Sequence, residues 1–168
     1  MFDFQNDPIL DIMTELTSLL KKNRQTVATA ESCTGGILAT LMTHFAGSSS
    51  TYLGGVSAYS NKLKEKLLGV PADIIESHGA VSAIVAEKMA LGITHISQAD
   101  FGVSITGIAG PSGGTTKKPV GTIWCGLSTP KGVDSKLYNL GNDRQKNRYE
   151  ISTLALKDLL SYIKSTTR

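Results

Sequence analysis

The run Thr26-Val27-Ala28-Thr29-Ala30 passes through Glu31-Ser32-Cys33-Thr34-Gly35-Gly36 into Ile37-Leu38-Ala39-Thr40-Leu41-Met42, and no other stretch constrains the fold as much. The first segment is short, β-branched and uncharged, which reads as a buried strand; the last resumes as a helix. The turn between them falls at the carboxyl end of the strand, where open α/β sheets bind ligands. It sets hydroxyls and a thiol there. Its two glycines let a ligand approach the main chain, and amides at a helix start favour an anion or a developing oxyanion. A plain helix cap by Ser32 or Thr34 is the alternative reading.

The rest of the chain repeats the alternation. Asp7-Pro8 has the chemistry of a helix start, and Ile9, Ile12, Met13, Leu16, Leu19 and Leu20 follow at helical spacing as far as Asn23. Gly47-Ser48-Ser49-Ser50 marks a break. Tyr52 to Tyr59 reads as a strand softened by glycines, with Asn61 placed to cap the short basic helix beyond it. Ser82 to Ser97 carries Val85, Met89, Ile93 and Ile96 on one helical face, and Phe101 to Ile105 reads as another buried strand. Val120 to Ser128, the turn Thr129-Pro130-Lys131-Gly132 and Val133 to Leu140 form a predicted antiparallel hairpin, and Arg144 to Lys164 a closing helix. The expected fold is α/β, a three-layer α/β/α sandwich with a mixed, mostly parallel sheet and no internal repeat.

Residues 1–168 fit one domain with a core that needs no metal or disulfide staples. Two cysteines, Cys33 and Cys125, are too few for a disulfide framework and point to a reducing compartment. The start Met1-Phe2-Asp3-Phe4-Gln5-Asn6-Asp7 has no basic n-region, and no segment has the apolar length to span a bilayer. A cytoplasmic protein with no membrane partner is expected. The net charge of +3 is mild and spread over Lys62, Lys64 and Lys66, Lys117 and Lys118, and the last helix; Trp124 is the only tryptophan. Nucleic acid is therefore not expected as a partner. His44, His78 and His95 lack ligand spacing, so no metal is predicted.

Between Gly107 and Gly121 lies a fifteen-residue loop holding five of the 17 glycines. A connection this long is either a binding loop or lid, or a mobile surface excursion.

Four segments in order resemble the CinA C-terminal domain family, whose stand-alone members include nicotinamide-nucleotide amidohydrolases. They are Ala30 to Gly36, Ala46-Gly47-Ser48-Ser49, Tyr59-Ser60-Asn61 with Lys64, and Gly107-Ile108-Ala109-Gly110-Pro111 continuing to Lys118-Pro119-Val120-Gly121-Thr122. His78-Gly79-Ala80-Val81-Ser82 stands between the third and fourth, and the likeness spans roughly residues 10 to 163. The resemblance implies hydrolysis of the carboxamide of nicotinamide mononucleotide to nicotinic acid mononucleotide and ammonia, by a Ser/Lys pair without metal or other cofactor. It makes Ser32 the nucleophile and Lys64 the base. Thr34, Gly35, Gly36, Ser49, Tyr59, Thr106, Gly107 and Arg144 become substrate-binding positions. Arg144 falls in the family's Gly-Asp-Arg motif, which here reads Asn142-Asp143-Arg144. That departure is mild if the first position needs a left-handed backbone, which Asn tolerates, and weakens phosphate binding if glycine is there to let phosphate approach. The implied partner is a small nucleotide; a homo-oligomer, a dimer, is expected, although no sequence feature specifies it.

An amide is a poor electrophile, so the hydroxyl needs a base and an oxyanion hole. Amides around Thr34 to Gly36 are the expected donors. Only about a thousandth of an exposed lysine is neutral near pH 7.4, so Lys64 needs desolvation to serve; otherwise it is one of three lysines on a solvated helix face. Ser49 is the rival nucleophile. Thr106 would position the carboxamide or phosphate, or is a structural strand-end threonine. Arg144 offers a planar fork for phosphate, against plain helix-surface charge. Cys33 is read as packing, since no Cys-His-Asn/Asp grouping accompanies it. Glu31 would bond the turn or the lysine, and Tyr59 would line the nicotinamide or ribose pocket. A non-catalytic nucleotide-binding or interaction module linked to competence or DNA damage is the competing class.

Overall fold

A computed structural model describes residues 7–166; residues 1–6, read above for targeting signals, lie outside them. Helix α1 (Ile9–Asn23) opens the fold, with Ile9, Met13, Leu16 and Leu20 forming its buried stripe. Asp7 begins it, its Oδ1 accepting the Ile9 amide at 2.9 Å. Strand β1 (Val27–Glu31) leads through the Ser32 turn to α2 (Ile37–Met42), and a 3-10 turn at Ser48–Ser50 precedes β2 (Tyr52–Ser57). Three helices follow, α3 (Asn61–Leu68), α4 (Ala72–His78) and α5 (Ala83–Ser97), before β3 (Phe101–Gly107). The chain closes with β4 (Thr122–Thr129), β5 (Gly132–Asn139) and α6 (Arg144–Thr166).

The sheet has the order β2-β1-β3-β4-β5. β1 pairs in parallel with β2 and β3, while β3–β4 and β4–β5 are antiparallel. The expected sheet was mixed and mostly parallel; the observed one is mixed with two parallel and two antiparallel pairs. The hairpin accounts for one antiparallel pair. The other arises because no helix intervenes between β3 and β4, so the loop from Ile108 to Gly121 returns the chain beside β3 in the opposite sense. Layers of helices on both faces match the expected α/β/α arrangement.

One face carries α1, α2 and α6 over Val27, Phe101, Val103, Ile105, Ile123 and Cys125. Each large apolar side chain buried there contributes about 1.5–3 kcal/mol. The other face carries α3, α4 and α5 over small residues, Ala28 and Ala30 of β1 among them. Here α5 lies close to the sheet: a Cβ at Gly102 would stand 2.3 Å from Ala90 O, and one at Gly126 2.5 Å from Ala86 O. Ser104 donates to Ala86 O at 2.6 Å. In turn α3 lies against α5 where Gly92 meets Leu68 O, which a Cβ would approach to 2.0 Å. The helix after β1 and the helices after β2 thus occupy opposite faces. A cleft opens at the carboxyl ends of β1 and β3.

Candidate active site

The cleft has a volume of about 320 Å³. Ser32, Cys33, Tyr59, Lys64, Thr106, Gly107 and Arg144 line it, joined by Asn61, Ala80, Val81 and the loop residues Ile108, Ala109, Gly110, Ser112 and Gly113. No carboxylate is among these residues. Ser32 stands at the end of β1, its amide donating to Ile105 O of β3 at 2.9 Å. Lys64 comes from α3, which Ser60 caps by accepting the Leu63 amide at 3.2 Å; Asn61, the expected cap, is instead the first helical residue. Lys62 and Lys66 face solvent, whereas Lys64 shares the inward face with Leu68 and is 1% exposed.

Lys64 Nζ lies 3.0 Å from Ser32 Oγ, 2.9 Å from Ala58 O and 3.4 Å from Tyr59 O. Burial pushes its ammonium below the ordinary lysine value. No salt bridge to Lys64 exists among the described residues. As an ammonium, Nζ donates to all three; as a neutral amine it would give two N–H groups to the carbonyls and keep its lone pair for the Ser32 hydroxyl. Cys33 also borders the cleft, but burial raises its thiol to about 12, so it is a thiol and packs as part of the core.

The turn after Ser32 differs from the expected anion site. Glu31 is buried, and its carboxylate accepts from Gly36 N at 3.0 Å, Leu38 N at 3.0 Å and Ala39 N at 2.8 Å. The start of α2 is therefore filled by the protein's own anion. Gly35 N donates to Ser32 O at 3.2 Å. None of Thr34, Gly35 and Gly36, expected as substrate-binding positions, borders the cleft, and both glycines adopt positive φ, +60° and +101°, to make the turn. Cys33 and Thr34 remain as turn amides without a carbonyl or carboxylate acceptor among the described residues. Thr34 is buried, and its Oγ1 has no protein partner. Arg148 holds the turn from α6, donating to Thr34 O through Nε at 3.1 Å and Nη2 at 2.7 Å; sequence reasoning did not single it out, and only its helical spacing of four from Arg144 hinted at it.

Thr106 Oγ1 borders the cleft and donates to Ala80 O at 2.8 Å. Tyr59 stands at the rim, 64% exposed. Arg144, the first residue of α6, donates through Nη1 to Gly110 O at 2.8 Å, with Nη2 3.5 Å from Tyr59 OH. Asn142 is not in the left-handed region, whose non-glycine occupants among the described residues are Arg24 and Gln98, so tolerance of positive φ does not explain its place before Asp143. Ser49 is not brought to the cleft. It is exposed in the 3-10 turn before β2, at the end of the sheet opposite Ser32. The glycine-rich loop is tied down rather than loose: Asn147 Nδ2 donates to Ala109 O at 3.0 Å, and Ile108 N to Thr122 O at 2.9 Å.

Among the described residues no group of three His, Cys, Asp or Glu side chains stands together to hold a metal ion. No helix there is long and apolar enough to cross a membrane.

A family model for the CinA C-terminal domain matches residues 10–163. A CinA-like protein of Thermotoga maritima is 44% identical over 150 residues, covering 89% of this chain. One from Synechocystis is 47% identical over 152 residues, with the same coverage. The chain spans 36% of the length of each of these curated relatives. The crystal structure of the competence/damage-inducible protein CihA from Agrobacterium tumefaciens superposes with a TM-score of 0.88 at 35% identity, covering 91% of this chain and 94% of that one. A CinA superfamily protein from Klebsiella pneumoniae gives 0.90 at 28% identity, with 95% and 99% covered. With its strand-end serine, its buried lysine and its glycine-rich loop in the order that the resemblance required, this chain belongs to the CinA C-terminal domain family.

Proposed function

We propose that the chain is an amidohydrolase that converts nicotinamide mononucleotide and water into nicotinic acid mononucleotide and ammonia, with Ser32 as nucleophile and Lys64 as base. The observation that carries this reading is the 3.0 Å approach of Lys64 Nζ to Ser32 Oγ, made by a buried lysine with no carboxylate partner among the described residues. In the forward step Ser32 Oγ bonds to the carboxamide carbon while Lys64 takes the hydroxyl proton. The oxyanion is held by the amide of Cys33, the turn residue that borders the cleft, with the Thr34 amide next to it in the chain. Collapse breaks the C–N bond, and Lys64 returns its proton to the departing nitrogen, releasing ammonia and leaving an ester on Ser32. Water then attacks the ester carbon as Lys64 takes one of its protons. Collapse releases the carboxylate and restores the serine hydroxyl.

The substrate is the one the family resemblance implies, and the cleft's charge and size support it. Lined by Arg144 and no carboxylate, it favours an anion, and Arg144 has guanidinium donors beyond the one given to Gly110 O. About 320 Å³ lies at the low end of the roughly 300–1,000 Å³ typical of ligand pockets. A mononucleotide fits that range better than a dinucleotide. In this reading Tyr59 at the rim contacts the ring and Thr106, which also borders the cleft, contacts the carboxamide.

The test is ammonia release from nicotinamide mononucleotide by the purified chain, with and without a chelator. Turnover that survives the chelator is expected, and Ser32→Ala should lower kcat by about 10⁴-fold or more while the melting curve stays in place. Near-normal turnover in Ser32→Ala would remove Ser32 from the mechanism. A second reading, a nucleotide-binding or interaction module, draws on the competence and damage names carried by similar proteins. Saturable binding of the mononucleotide without any ammonia release would select it.

A further inference from the structure

The side chain of Lys118 does something that the proposed chemistry does not use. Its Nζ leaves the glycine-rich loop and donates to His78 O at 3.0 Å and to Val81 O at 2.7 Å. These carbonyls bracket the connection between α4 and α5, and the residues between and beside them, Ala80 and Val81, border the cleft. Gly79 leaves room for the ammonium: a Cβ there would stand 3.3 Å from Nζ, and the backbone at φ +77° disfavours any side chain. Thr106 holds the same connection from β3 through its bond to Ala80 O. On the other side of the loop, Arg144 and Asn147 fix Gly110 and Ala109. Beyond them the loop has little else. Among the described residues, the hydrogen bonds that carry residues 111–118 to another element are the two made by Lys118 Nζ.

We propose that Lys118 is a positioning residue that straps the glycine-rich loop to the α4–α5 connection and so sets the width of the substrate cleft. This rests on the reading of the cleft as a nucleotide amidohydrolase site. Both strapped segments contribute to the cleft, Ala80 and Val81 from one and Ser112 and Gly113 from the other. Ser32 and Lys64 are carried by β1 and α3, which the strap does not touch. Losing it should therefore weaken capture of the substrate and spare the chemical step. An ammonium with two carbonyl acceptors makes charge-assisted bonds, stronger than neutral ones, and their loss frees a loop whose glycines resist nothing.

The experiment compares Lys118→Met, Lys118→Gln and Lys118→Arg in the full chain. In Lys118→Met the KM for nicotinamide mononucleotide should rise about tenfold, with kcat within about twofold. Lys118→Arg keeps a cationic donor and should recover most of the loss. Two readouts need no turnover: amide exchange should quicken at residues 78–81 and 112–118, and the emission of Trp124 should shift. That indole borders the same hollow as Lys118, His78 and Val81, and it is the chain's only tryptophan. Unchanged exchange and emission in Lys118→Met or Lys118→Gln would overturn the strap, as would a fall in kcat with KM intact. If the unsubstituted chain releases no ammonia at all, the amidohydrolase reading fails, and the exchange and emission arms still decide the strap.

Discussion

The two halves of the sheet are built differently and used differently. In the parallel half, β1 is buried along its whole length and β3 along its first six residues, because helices cover both faces. In the antiparallel half, β5 at the sheet's edge shows no fully buried residue. A parallel crossover must leave the strand's carboxyl end and turn into a helix, and each such exit deposits a few residues of irregular chain on the same rim. Ser32 arrives that way, and Lys64 on the helix that follows the exit from β2. The β4–β5 hairpin needs only Pro130 and Lys131 between its strands, at the far end from the cleft, and brings no side chain to the cleft. The lesson is that chemistry here collects where connections are forced to be long, and the hairpin serves as its support, with Thr122 O receiving the first amide of the glycine-rich loop.

The sharpest way to break this contrast is at Lys64. Lys64→Arg keeps the charge, but a guanidinium stays protonated at working pH, so turnover should fall by about 10³-fold, nearly as far as in Lys64→Ala. In the unsubstituted chain the acidic limb of the rate profile should rise through one ionisation below the ordinary lysine value, because the neutral amine is the active form. Stability should carry the same signature. With the folded pKa lowered from 10.5, the unfolded chain binds the extra proton in the window between the two values. Stability relative to Lys64→Met therefore rises as pH climbs through that window, measured by urea unfolding at several pH values. A difference that stays flat, or an active arginine variant, would show that Lys64 supplies only charge.

A smaller effect belongs to Arg144, where the parallel rim meets α6. Arg144→Ala should raise KM for nicotinamide mononucleotide by about tenfold to a hundredfold. The unphosphorylated riboside should be a poor substrate for both forms and barely notice the substitution. Equal losses on the two compounds would assign Arg144 to holding Gly110 instead. The smallest effect is expected in the antiparallel half. Lys136 pairs with Asp158 at 2.9 Å, but it is largely exposed, so Lys136→Ala should cost under about 1 kcal/mol in urea unfolding and leave kcat and KM unchanged. Altered kinetics there would mean that the two halves are coupled after all.

What was legible in the sequence follows the range of the forces involved. The β1–α2 turn, the β4–β5 hairpin and the capped α1 are specified by neighbours in the chain, and local patterns found them. Helix α4 went unread: seven residues give too little periodicity, although Pro71 before it and Gly79 after it were signals. The sense of the β3–β4 pairing is a non-local matter, decided across a long loop by what packs on either side. Lys64 is the hardest case. Leu63 and Leu67 beside it suggest an apolar face pointing inward, yet both are exposed and the lysine is buried, so only the family resemblance singled it out. Glu31 was legible as a partner for the turn or the lysine, but a linear reading does not show that it takes three amides at the start of α2 and so occupies the place expected for an anion. Ser49 shares a motif with the site but lies at the opposite end of the sheet, since β2 begins where β1 begins.

The crossing of α3 over α5 at Gly92 has a bearing on how such a protein can change. The lysine's reach to the serine is gauged by how closely its helix sits on the next, and that spacing is set by a missing methyl group at a position that touches neither residue. A change as modest as glycine to alanine would wedge the two helices apart and lengthen the approach of Lys64 Nζ to Ser32 Oγ. The spacing between Lys64 and Ser32, on which the proposed reaction depends, is thus exposed to drift at a remote point in the scaffold, where selection on the cleft lining alone would have no purchase.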